Sequence, residues 1–133
     1  MTPSQTMPPV IEEWHRLIAE PDAARLRGLI APGAVFKSPA VHTPQEGGDV
    51  TFAYLWAALG VLGPTLTYRR QWYAEDSAVL QFTAEVDGLS LEGVDIITWN
   101  DAGLIVDFTV IVRPYKGLQA LIAAMGAALQ SGG

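Results

Sequence analysis

Apolar residues recur along this chain first at helical spacing and then in strand alternation, and the change of period divides it in two. Val10, Ile11, Trp14, Leu17 and Ile18 stand three and four apart, which predicts an amphipathic helix over about 9–20. Pro8-Pro9 fits its first turn, where a missing N–H costs nothing. Pro21-Asp22 ends it and supplies an N-cap for a short second helix with Ala23, Leu26, Leu29 and Ile30 inward. Ala34 to Ser38 reads as a short strand, and Pro39 to Gly48 as a loop rich in breakers. A third helix follows from Asp49, its N-cap, through Phe52, Leu55, Trp56, Leu59 and Leu62 to Gly63-Pro64.

From Thr65 the period is two. Strands are expected over 65–74, 78–87, 89–99 and 104–113, parted by Glu75-Asp76, Asp87-Gly88 and Asn100-Asp101-Ala102-Gly103. Pro114 stops the last one, and a closing helix over 117–130 carries Leu118, Leu121, Ile122, Met125 and Leu129 on one face. Helices, then an antiparallel meander, then a helix predict an α+β fold with helices stacked on one face of a curved sheet. At 133 residues the chain is expected to be one domain, 1–133, with residues 1–7 flexible.

Composition sharpens this. Half the residues are apolar and 17% are charged, against roughly 25% charged in an average domain. The surplus should line an internal pocket or be covered by a partner subunit. Eight Lys and Arg against 14 Asp and Glu give a net charge of −6, and the basic residues are scattered apart from Arg69-Arg70. Nucleic acid is therefore not an expected partner. There is no cysteine, and His15 and His42 alone cannot build a His-rich metal site, so neither metal nor cofactor is expected. No apolar run approaches 18 residues and the first residues lack a signal-peptide pattern, so no membrane association and a cytoplasmic location are expected.

Three stretches carry a family resemblance: Phe36-Lys37-Ser38-Pro39, Gly93-Val94-Asp95-Ile96-Ile97 with its turn into Gly103-Leu104-Ile105, and Val112-Arg113-Pro114. Together they resemble the SnoaL-like branch of the nuclear transport factor two superfamily, which includes ketosteroid isomerases, polyketide cyclases and limonene-epoxide hydrolases. The resemblance spans roughly 8–128 and implies a cone-shaped α+β barrel: a curved, mostly antiparallel sheet around the N-terminal helices, with a deep pocket. It also implies that the outer sheet face makes a dimer.

Alternation places Leu91, Gly93, Asp95, Ile97 and Trp99 on one side of their strand, and Leu104, Val106, Phe108, Val110 and Val112 on one side of the last. Leu80, Phe82, Ala84 and Val86 form the apolar side of the strand before them. The pocket thus reads as apolar with one carboxyl, Asp95. Burial there should hold its pKa well above the ordinary value near 3.9 and make it a hydrogen-bond donor at neutral pH. The same residue on a satisfied backbone or arginine would be merely structural. By resemblance to the isomerases, Asp95 matches the protonated aspartate that donates to a developing enolate oxygen.

The isomerase tyrosine of the first helix falls on Trp14, and the general-base aspartate falls on Ser38, which has no accessible pKa for proton abstraction. The epoxide-hydrolase Asp-Arg-Asp set is not matched, because strand 78–87 holds no arginine and the last-strand position is Val110. His42, in the loop after Ser38, is the candidate base, since histidine titrates near neutrality. Trp14, Ser38, Trp56, Phe82, Ile97, Phe108, Val110 and Val112 are the expected pocket lining, and Arg113 is expected in an outer-face ion pair or dimer contact. The expected function is binding of an apolar cyclic small molecule, with cofactor-free proton transfer in isomerisation or cyclisation. A non-catalytic binding or dimeric interaction module is the alternative. A homodimer through Val94, Ile96, Ile105 and Ile111 on the outer face is expected.

Overall fold

The computed structural model describes residues 6–131. Its elements are α1 (Pro9–Ala19), α2 (Ala23–Leu29), β1 (Ile30–Lys37), β2 (Gln45–Glu46), α3 (Gly48–Leu62), β3 (Thr67–Tyr73), β4 (Ser77–Val86), β5 (Leu89–Trp99), β6 (Ile105–Arg113) and α4 (Tyr115–Ser131). The expected flexible stretch 1–7 falls mostly on residues 1–5, outside the described residues, while Met7 packs against the core.

Local chemistry sets the boundaries. Pro8 is the N-cap of α1, and the Asp22 carboxylate accepts the Arg25 N–H at 3.0 Å to cap α2. Asp87 and Gly88, with φ of 53° and 78°, make the two-residue turn joining β4 to β5. Two sequence expectations are corrected. Ile30 is not the end of α2 but the first residue of β1, buried and paired with Ile105, so this strand begins four residues before Ala34. The 39–48 loop contains the short strand β2, and α3 begins at Gly48 on an N-cap of Gly47 rather than Asp49. Gly47 takes a φ of 122°, which lets the chain turn sharply out of β2.

The six strands form one sheet in the order β2-β1-β6-β5-β4-β3, antiparallel except for β1 beside β6. It is curved but not closed, with β2 and β3 as edges. Along β4, Ala78, Leu80, Phe82, Ala84 and Val86 are all buried while their neighbours are not, so one face is core throughout. That face packs on Ile11, Trp14 and Leu17 of α1, Leu26 of α2, and Leu55, Leu59 and Leu62 of α3.

Two bulges re-aim side chains. Between β5 and β6, Thr98 pairs with Asp107 but Trp99 with Ile105, leaving Val106 as the extra residue. This reverses the parity at the start of β6, so Ile105 is fully buried instead of lying on the outer face, and Val106 is only half-buried. Between β3 and β4, Tyr68 pairs with Phe82 and Gln71 with Leu80, so Arg69 and Arg70 together oppose Gln81. Tyr68 and Gln71 therefore both turn toward α1, while Trp72 is left 51% exposed. Gly93 is needed where it stands, because a Cβ there would lie 2.3 Å from the Ile111 carbonyl oxygen and 2.8 Å from the Phe82 ring. No helix among the described residues is long and apolar enough to cross a membrane.

Candidate functional site

The inner face of β5 delivers Asp95 to the interior between Leu80 of β4 and Val110 of β6. It is 5% exposed. Its Oδ2 accepts the Tyr68 O–H at 2.6 Å, and the Tyr68 oxygen in turn accepts the Trp14 Nε1–H at 2.7 Å. The direction of this chain is fixed at its far end, because an indole N–H can only donate. Tyr68 has one hydrogen, and that hydrogen is committed to Asp95. His15, next to Trp14 on α1, sets its ring edge-on against Tyr68 at 5.0 Å and shares a 2.7 Å hydrogen bond with Gln71.

Beside this chain lies a cavity of about 220 Å³. Its walls are Trp14 and Ile18 of α1, Phe36 of β1, Tyr54, Leu55, Ala58, Leu59 and Leu62 of α3, Phe108 and Val110 of β6, and Leu121, Met125 and Leu129 of α4. Phe36 stacks on Tyr54 with ring centroids 5.0 Å apart, and Trp14 meets Phe108 at 5.0 Å. Val41 and Ile122, 49% and 42% exposed, mark where it opens to solvent. Ser38 joins the wall near this mouth, and its Oγ accepts the Ala40 N–H at 2.9 Å.

Burial pushes the Asp95 carboxyl up from about 3.8 to about 7, and the Tyr68 hydrogen bond, which favours the carboxylate, partly opposes that rise. Tyr68 is itself pushed well above its ordinary value, first by desolvation and then by the charge of Asp95. Oδ1 of Asp95 has no partner among the described residues, yet it is not sealed off, because the carboxyl lines the cavity.

The sequence-chosen residues divide accordingly. Trp14, Ser38, Phe108, Val110 and Asp95 come together on the cavity. Phe82 and Ile97 are fully buried in the core nearby without lining it, and Trp56 stacks on Phe52 away from it, 37% exposed. His42 and Val112 line a separate open groove with Lys37, Thr109 and Ile111; Ser38, Pro39, Val41 and Val110 border both spaces. Asp95 thus stands apart from His42. Arg113 pairs with Glu92 on the outer face, and Lys37 pairs with Asp107 at 2.9 Å. Among the described residues no group of three His, Asp or Glu side chains is placed to hold a metal ion.

Tyr68, the partner of Asp95, is not among the residues that the sequence pattern singles out. The available signal was that a buried tyrosine hydroxyl needs a partner and Asp95 was the one inward polar group. The bulge at Arg69-Arg70 and the register across β4 make the pairing.

The sequence profile of the SnoaL-like domain family matches residues 11–108. Among solved structures, a steroid delta-isomerase from Pseudomonas aeruginosa is 43% identical, with 92% of this chain and 90% of that chain covered and a TM-score of 0.85. An uncharacterised protein with a cystatin-like fold from Silicibacter pomeroyi is 35% identical, covering 92% and 86%, with a TM-score of 0.84. A putative SnoaL-like polyketide cyclase from Jannaschia sp., at 16% identity, 93% and 99% coverage and a TM-score of 0.65, shares the fold. No curated protein matches the chain. The family match over most of the chain, together with the open cone and its inward aspartate, makes this chain a member of the SnoaL-like domain family of the nuclear transport factor two-like superfamily.

Proposed function

We propose that this chain binds an apolar cyclic small molecule in the cone cavity and catalyses cofactor-free proton transfer on it, with Asp95 as acid and oxyanion donor. One observation carries the reading: a lone carboxyl in an apolar cavity, titrating near neutrality, with one oxygen held by Tyr68 and the other open to the cavity. A protonated Oδ1 donates to a carbonyl oxygen while a base takes the proton from the adjacent α-carbon, giving a dienol; the base then returns that proton to the γ-carbon, the double bond moves into conjugation, and Oδ1 keeps its own proton. The 43% identical steroid delta-isomerase supports this chemistry. His42 stands one wall away, so its part as base requires the 39–44 loop to carry it over Ser38.

The test is conversion of cyclohex-3-enone to cyclohex-2-enone, followed by ultraviolet absorbance. Asp95→Asn should lower the rate by about 10²-fold or more, the range for a positioned general acid. His42→Ala should also slow it if the loop delivers the base. Equal rates with wild type and Asp95→Asn, or none with either, would overturn the catalytic reading. The second reading, binding without turnover, is favoured by Ser38 at the isomerase base position and by the lack of a second carboxylate in the cavity wall.

A homodimer through the outer sheet face belongs to the same proposal. Ile111, 55% exposed, lies beside half-buried Val94 and Ile96 there. A sedimentation mass of two chains is expected, and one of a single chain would refute it.

A further inference from the structure

We infer that the ligand is a compact neutral carbonyl compound of one or two rings, which turns its oxygen to Oδ1 of Asp95 and is too short a fit for a four-ring skeleton. The inference deepens the proposed use of this cavity, but concerns binding rather than turnover.

Size comes first. A dry cavity of about 150 Å³ accepts benzene, with six carbon atoms. By proportion, about 220 Å³ accepts roughly nine non-hydrogen atoms. Leu121, 4% exposed, is the firmest part of the α4 wall, and Met125 continues it. A four-ring skeleton of about twice that many atoms would have to leave much of itself outside the mouth at Val41 and Ile122. Shape follows from the walls: the stacked Phe36 and Tyr54 and the tilted Trp14 and Phe108 suit a flat ring.

Charge and polarity come next. Among the described residues no lysine, arginine or histidine lines the cavity, so a ligand carboxylate or phosphate would be buried there without a counter-ion. The Trp14 N–H and the Tyr68 O–H are both used within the protein, which leaves Asp95 as the group at that end able to donate. A ligand that accepts a hydrogen bond needs the protonated carboxyl, whereas an ammonium or a phenol would prefer the carboxylate. The two cases have opposite pH dependence.

The test measures dissociation constants by calorimetry for four probes: 1-indanone, indane, 2-aminoindane and androst-4-ene-3,17-dione. Indane has the same rings without the oxygen, aminoindane replaces it by a cation, and the dione has four rings. Indanone should bind at least ten-fold more tightly than each of the others at pH 6. With a carboxyl titrating at about 7, the competent fraction falls about thirty-fold between pH 6 and pH 8.5, and the indanone affinity should fall with it.

Among the described residues, the titratable groups around Asp95 are Tyr68 on β3, His15 on α1 behind its ring, and Tyr54 of α3 on the same cavity wall; its strand neighbours Leu80 on β4 and Val110 on β6, and Leu121 of α4 on the wall, bring none. In Asp95→Asn, whose amide donates at every pH, indanone should still bind and the pH dependence should vanish. Dependence that survives in this variant would belong to another group and would overturn the assignment. So would equal binding of the dione, equal binding of indane, tighter binding of aminoindane, or no saturable binding of indanone. Indanone binding as expected without any turnover of enones would sink the catalytic proposal and leave this one standing.

Discussion

Glu13 and Trp14 are consecutive on α1, and each anchors a hydrogen-bonded carboxyl, yet the two carboxyls respond in opposite ways. Outside, Glu13 is clasped by Arg25, through two hydrogen bonds of 3.0 and 2.9 Å, and by Arg16 at 3.0 Å. Its pKa is lowered, chiefly by the Arg25 hydrogen bond. Inside, Asp95 receives a shorter hydrogen bond of 2.6 Å, but from a neutral phenol and in buried, apolar surroundings, and it is raised to about 7. Hydrogen bonding alone does not hold a carboxyl ionised. The charge of the donor and the solvent around the acceptor decide it, and a chain that turns by one residue along a helix can have both outcomes.

Stability against pH separates the two sites most sharply. Asp95 has a folded pKa above its unfolded one, so its contribution is fully present below about pH 4 and is lost as pH rises through about 7. Asp95→Asn removes that loss. It should raise stability at pH 8 by about 2–4 kcal/mol, and should give little gain at pH 4. Thermal melts of both forms across pH measure this, and a variant less stable at pH 8 would show that the carboxylate is held by something other than Tyr68.

Tyr68→Phe probes the neutral donor. It leaves a buried indole N–H unpaired and should cost about 1–3 kcal/mol. It should also move the Asp95 titration still higher, which carboxyl NMR would detect; an unmoved titration would mean the phenol only packs. Gln71→Ala removes only the bond to His15, and should cost about 1 kcal/mol while leaving the Asp95 titration where it is. Glu13→Gln should have the smallest effect, a minor loss of stability at pH 7 that fades as salt is added, because both arginines stay in water. Since the Glu13 pKa is lowered, its contribution is present above about pH 4.5 and disappears as pH falls, opposite to Asp95. A large, salt-insensitive loss would erase the contrast.

Asp95 was legible in the sequence because β5 alternates without interruption from Leu91 to Trp99, so a carboxyl among Leu91, Ile97 and Trp99 had to point inward. The helices were legible from their spacing, and α2 from its Asp22 cap, whereas α3 starts on Gly47 and not on Asp49. Ile105 was not, because one extra residue at Val106 inverts a parity that counting assumes constant. Tyr68 was hidden for the same reason at Arg69-Arg70, and because its link to Asp95 spans β4, a matter of register between strands rather than of position along one. Loop residues carry no period at all, so Ser38 borders both spaces while His42, four residues on, lines the open groove and not the cavity.

Gly117 marks where α4 touches down on the sheet: a Cβ there would lie 2.8 Å from that of Leu91, so helix and strand meet backbone to side chain at this one place. Past Leu121 the helix is half-buried or exposed, and still forms one wall of the cavity. The family match ends at Phe108, before this helix begins. The scaffold and its carboxyl thus lie within the span of the family profile, while α4 lies beyond it and supplies a separate wall of the cavity. Bulk added or removed at Met125 or Leu129 would change the width of the cone from one side, in a segment separate from the docking point, the sheet and the hydrogen-bond chain.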